Sequence, residues 1–87
     1  MNLFTIEWKR SAVKELKRLP KDAVTRILAA VEGLRSDPFP AGSRKLAGAE
    51  DARRIREGSY RVIYSIVASR LVIEVIRVGH RKDVYGK

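Results

Sequence analysis

The sequence predicts an α+β fold, an N-terminal helical hairpin packed on a mainly antiparallel four-stranded sheet. Three observations carry this expectation. Apolar residues recur at helical spacing from Ala12 to Leu34. A turn rich in Pro, Gly and Asp, "SDPFPAG" at 36–42, then interrupts the pattern. Beyond it the period drops to two, and branched and aromatic residues gather in short runs separated by turn residues.

In order along the chain, "LFTIEW" (3–8) alternates as a strand, with Phe4, Ile6 and Trp8 on one face. In "KRSAVKELKRLP" (9–20), Ala12, Leu16 and Leu19 fall at helical spacing with Val13 beside them, and Pro20 ends the helix. The second helix follows at once. Val24, Ile27, Leu28, Val31 and Leu34 are expected to form its apolar stripe. "RKLAGAEDA" is irregular and admits a short strand at 44–46. "RRIRE" (53–57), "YRVIYSIV" (60–67) and "LVIEVIRV" (71–78) read as a three-stranded antiparallel meander, turned at Gly58-Ser59 and at "ASR". The strand at 3–8 is expected to join the same sheet.

A chain of 87 residues with 45% apolar content reads as one folded domain, 1–87. The absence of cysteine excludes disulfides, thiolate zinc sites and a thiol nucleophile. The opening "MNLFTIEWKR" is no signal peptide, and no apolar run approaches membrane-spanning length, so a soluble cytoplasmic protein is expected. The net charge is +9. It is uneven: residues 44–87 carry 11 basic and 5 acidic residues, including eight of the twelve arginines. Such an excess favours a polyanionic partner, nucleic acid or an acidic protein, and arginine suits a phosphate through its planar fork of donors.

The arginines have a pattern. Alternation sets Arg54 and Arg56 on one face of their strand, with Ile55 and Glu57 on the other. The tight turn brings Arg61 back beside Arg56. In a meander the end of the last strand lies beside the start of the one before it, which delivers "HRKDVY" (80–85) to the same cluster. This places His80, Arg81 and Tyr85 beside Arg54, Arg56 and Arg61. An arginine-walled surface with an aromatic at its rim suits RNA, cations holding phosphates while a ring stacks on an unpaired base. No Gly-rich phosphate loop is present, one histidine cannot build a multi-histidine metal site, and no serine lies in a nucleophile motif. No cofactor or metal is expected.

"RRIREGSYRVIYSI" followed by "LVIEVIRVGHRKDVY", with the opening strand, the helical pair and "KLAG" at 45–48, resembles the RelE branch of the RelE/ParE toxin superfamily. The resemblance implies the toxin half of a type II toxin–antitoxin pair. It further implies a ribosome-dependent endoribonuclease that cuts mRNA in the A site, and partnership with a cognate antitoxin, the ribosome and mRNA. It assigns Arg54, Arg56, Arg61, Arg81 and Tyr85 to catalysis, by attack of a ribose 2′-OH on the adjacent phosphate. In that scheme Arg61 stabilises the phosphorane, Arg81 acts near the leaving oxygen and Tyr85 stacks on the nucleotide. Lys45, Arg53, His80 and Lys82 are expected to contact RNA. Many relatives carry lysine at the positions of Arg54 and Arg56. Arginine stays protonated and is a poor base, so Arg56 is assigned to charge stabilisation, and His80 to the rim rather than to acid–base work. A ParE-like gyrase inhibitor and a non-catalytic RNA-binding relative share the fold, and the full arginine–tyrosine set favours the nuclease.

Overall fold

The computed structural model describes residues 3–46 and 51–80. Its elements run β1 (Thr5–Trp8), α1 (Arg10–Lys17), α2 (Lys21–Gly33), β2 (Arg44–Lys45), β3 (Ala52–Glu57), β4 (Tyr60–Val67), a 3-10 turn (Ala68–Arg70) and β5 (Val72–His80). The strands form one sheet in the order β1-β5-β4-β3-β2. Two helices on a mainly antiparallel sheet agree with the expected fold class. The sheet has a fifth strand, however, because the short segment at Arg44–Lys45 pairs with Arg53 and Arg54. It is also mixed, since β1 runs parallel to β5.

The helices cover one face. Ala12, Ile27, Val31 and Leu34 pack against Ile55, Val62, Tyr64, Ile73, Val75 and Val78. Ile6 and Trp8 join this core from β1, with Phe4 just before it, as their shared parity requires. Burying each large apolar side chain here stabilises the fold by about 1.5–3 kcal/mol. The stripe on α2 differs from the expected one. Ala23, Ile27 and Val31 are its buried residues, while Leu28 is 43% exposed. Both stripes obey the helical period; the small Ala23 is the residue turned inward. Pro20, at φ −59°, stands just before α2, where its missing N–H costs nothing.

Two features set the register that matters for the surface. The β3–β4 hairpin closes with Glu57 opposite Tyr60, and Gly58 takes φ +60°, a conformation glycine adopts without strain. On β5, Ile76 is an extra residue: Ile63 pairs with Arg77 and Tyr64 with Val75. Beyond this bulge β5 continues to His80, two residues further than the alternation predicts.

The connection from α2 to β2 is tied to the core side. The Tyr64 hydroxyl donates to the Pro38 carbonyl at 2.8 Å. Arg53 donates to the Ser43 hydroxyl at 2.9 Å and lays its guanidinium 5.0 Å from the centre of the Phe39 ring.

Candidate functional site

The face of the sheet away from the helices carries the arginines. Arg56 and Arg61 are direct cross-strand partners, and Gly79 sits on the other side of Arg61. The next row across the sheet reads Arg44, Arg54, Ile63, Arg77. Arg44, Arg54, Arg56 and Arg61, from three strands, therefore share one face by register, whereas Arg77 on β5 turns its guanidinium to Glu15 of α1 at 2.9 Å. Opposed Cβ atoms in such a sheet are about 5 Å apart, so neighbouring guanidinium groups can reach the same phosphate.

Exposure grades this row. Arg56 is exposed and Arg54 is half-buried. Arg61 retains only 7% of its surface although it is charged. It lies on the central strand, flanked by β3 and β5. Gly79 opposite it has no side chain and is itself buried. A cation fixed in a low-dielectric setting acts on a neighbouring charge more strongly than one in water.

Several expected site residues lie elsewhere. Arg53 and Lys45 pair with each other and share the helix-side parity of Ile55. Arg53 is engaged by Ser43 and Phe39, which makes it an anchor for the α2–β2 connection. His80 does not join the arginines. It pairs with Tyr60, and the two rings meet edge to face with centroids 6.0 Å apart. Together with Arg18, Leu19 and Val78 they line a recess of about 390 Å³ on the helix side. The physical reason is parity: Gly79 occupies the position facing Arg61, so the next residue points through the sheet. Arg81, Lys82 and Tyr85 lie outside the described residues. Arg44 is a member of the face that the sequence reading missed. Arg44 was legible only through the antiparallel pairing of the two-residue β2 with β3.

The fold and this face define a small basic α+β protein with an arginine-bearing sheet surface opposite its helices. The family described as the ParE toxin of the type II toxin–antitoxin system parDE matches residues 6–85. The chain belongs to this family, in the RelE/ParE superfamily, and is a RelE-like toxin. It is 36% identical to the toxin RelG of Mycobacterium tuberculosis, over 97% of this chain and 98% of that protein. It is similar to a chain of the archaeal RelE–RelB complex from Pyrococcus horikoshii, with a TM-score of 0.80 and 32% identity over 91% of this chain and 96% of that one. Its fold also matches a chain of the RelBE2 toxin–antitoxin complex of Mycobacterium tuberculosis, with a TM-score of 0.81 and 24% identity over 93% of this chain and 94% of that one.

Proposed function

We propose that the protein is a ribosome-dependent mRNA endoribonuclease, acting in the cytoplasm and held inactive by a cognate antitoxin. The observation that carries this reading is the Arg56–Arg61 pair with Arg54 beside it, on the sheet face opposite the helices. In the reaction the 2′-oxygen of a ribose attacks the adjacent phosphorus. The bond from phosphorus to the 5′-oxygen breaks, leaving a 2′,3′-cyclic phosphate and a 5′-hydroxyl.

Arg61, buried and fixed, stabilises the charge that builds on the phosphorane. Arg56 and Arg54 hold the flanking phosphates and orient the 2′-oxygen for in-line attack. Arg81 acts near the leaving oxygen and Tyr85 stacks on the nucleotide. Because arginine does not deprotonate near neutral pH, the 2′-OH proton passes to water or to a phosphate oxygen, and the protein's contribution is electrostatic. The antitoxin partner is supported by the RelB-bound complexes of the relatives and by the +9 charge, which favours an acidic segment over the arginine face.

The test is primer extension on mRNA bound to programmed ribosomes, comparing wild type with Arg61→Ala, Arg81→Ala and Tyr85→Ala. Wild type is expected to cut within the A-site codon, and each variant to be slower by about 10²-fold or more. Intact mRNA with wild type, accompanied by gyrase-dependent DNA breaks, would replace this reading by gyrase inhibition.

A further inference from the structure

We propose that Glu15 on α1 is a positioning residue for RNA cleavage: its carboxylate fixes the register of the end of β5, and so keeps Gly79 beside Arg61. The inference rests on the ribonuclease reading above and concerns a residue outside the arginine face.

The argument starts at the outer edge of β5. β1 covers this edge only from Val72 to Val75, and the last backbone bond from that side runs from the Lys9 N–H to the Val75 carbonyl at 2.9 Å. β5 then continues for five more residues, and among the described residues no strand lies beside it on that side. Helix α1 takes the strand's place. Ser11 donates its hydroxyl to the Ile76 carbonyl at 3.0 Å. One turn later, Glu15 accepts the Val78 N–H on Oε1 at 2.8 Å. Residues four apart lie on the same side of a helix, so these two side chains reach successive outward-facing backbone groups of β5.

The other oxygen of Glu15 is used as well. Oε2 accepts from Arg77 Nη2 at 2.9 Å and from Nε at 3.2 Å. One carboxylate thus holds a backbone N–H and the guanidinium preceding it. Val78 is 1% exposed, so its N–H has no ready substitute in water.

The clasp sits just after the bulge at Ile76, where the register of β5 against β4 changes by one residue. A slip of one residue there would turn every following side chain to the opposite face. His80 or Val78 would then stand beside Arg61 where Gly79 stands now. A displacement of this size disturbs a constellation that must hold a phosphate in line, while leaving the exposed arginines able to bind RNA.

The experiment measures single-turnover cleavage of ribosome-bound mRNA against ribosome concentration for wild type, Glu15→Ala, Glu15→Gln and Glu32→Gln. Glu15→Ala is expected to lower the plateau rate at least about 10-fold with the half-saturating concentration within about 2-fold. Glu15→Gln keeps an oxygen acceptor for Val78 and should recover the plateau to within about 3-fold. Glu32→Gln removes a carboxylate from the separate, exposed pair with Arg35 and should match wild type. Amide exchange at Val78 should be faster in Glu15→Ala but not in Glu15→Gln. Should Glu15→Ala not fold, Glu15→Asp, which keeps the charge but withdraws the carboxylate, takes its place under the same expectation. A wild-type plateau in Glu15→Ala or Glu15→Asp overturns the proposal, as does an equal loss in Glu15→Ala and Glu15→Gln. If wild type leaves the mRNA intact, the ribonuclease reading falls and the inference falls with it; an active wild type with an indifferent Glu15 removes the inference alone.

Discussion

Arg56 and Arg61 stand directly opposite each other on β3 and β4, one pair in from the residues that close the Gly58–Ser59 turn. Like charges in this position destabilise a sheet by about 0.2–1 kcal/mol. The arrangement gives up stability for a surface that a phosphate can neutralise. Replacing the exposed member, Arg56→Gln, is therefore expected to raise the melting temperature by about 1–5 °C at low salt. The gain should shrink in high salt as screening removes the repulsion. The same variant should cleave mRNA at least about 10-fold more slowly. Calorimetry at two ionic strengths beside the cleavage assay checks both halves. A lower melting temperature at low salt would show that the pair is not repulsive.

Arg44 extends the face by one strand, opposite Arg54 at the start of the row that ends with Arg77. It is exposed and lies on β2, at the sheet edge. In the proposed reading Arg44 contacts phosphate, and its contribution is then general to sequence. Arg44→Ala should reduce the slope of log affinity against log salt, measured with a short single-stranded RNA, by about one. Lys45→Ala, on the other face by parity, should change it less. An unchanged slope for Arg44→Ala would confine the surface to β3 and β4.

The fold was legible where one physical signal dominated. The switch from a period near 3.6 to a period of two located the helices and the meander, and Gly58-Ser59 fixed the hairpin that opposes Arg56 to Arg61. The parallel placement of β1 beside β5 was not legible, because strand order across a helical crossover leaves no local pattern. Leu28 was misplaced because two neighbouring stripes on α2 share one period. The site followed the same division. Arg54, Arg56 and Arg61 came from parity within one hairpin. His80, Arg53 and Lys45 fall on the helix side by parity, and their basic or aromatic character alone says nothing about which side of a sheet a residue faces. Glu15, 62 positions from Arg77 in the chain, had no sequence signal at all.

The hairpin itself depends on one backbone conformation. Gly58 has φ +60°, and a Cβ built there would come no nearer than 4.0 Å to another group, the Arg26 Nη2. Space is available, so the effect of Gly58→Ala is almost purely conformational, about 1 kcal/mol. The melting temperature should fall by about 4–8 °C. Gly58→Asn should lose less, since asparagine tolerates this region better than other residues with a side chain. Equal midpoints for glycine and alanine would mean that the turn relaxes to another type.

Tyr64 links the central strand to the α2–β2 connection and carries a pH signature. Its side chain is fully buried and its hydroxyl donates to Pro38 at 2.8 Å. Burial pushes the phenol above the ordinary tyrosine value, more than the Ser43 hydroxyl and the Arg53 guanidinium draw it down. In the unfolded chain the phenol ionises first, so the folded state is the one that retains the proton. The contribution of Tyr64 is then complete below the ordinary value of 10.0 and is lost as pH rises through the folded value. Tyr64→Phe should lower stability by about 1 kcal/mol at pH 8, the worth of one hydrogen bond. The advantage of wild type over Tyr64→Phe should narrow above pH 10.0. Urea unfolding of both proteins from pH 8 to about 11.5 measures this difference directly. A gap that stays constant over that range would show that the folded phenol ionises as readily as the unfolded one.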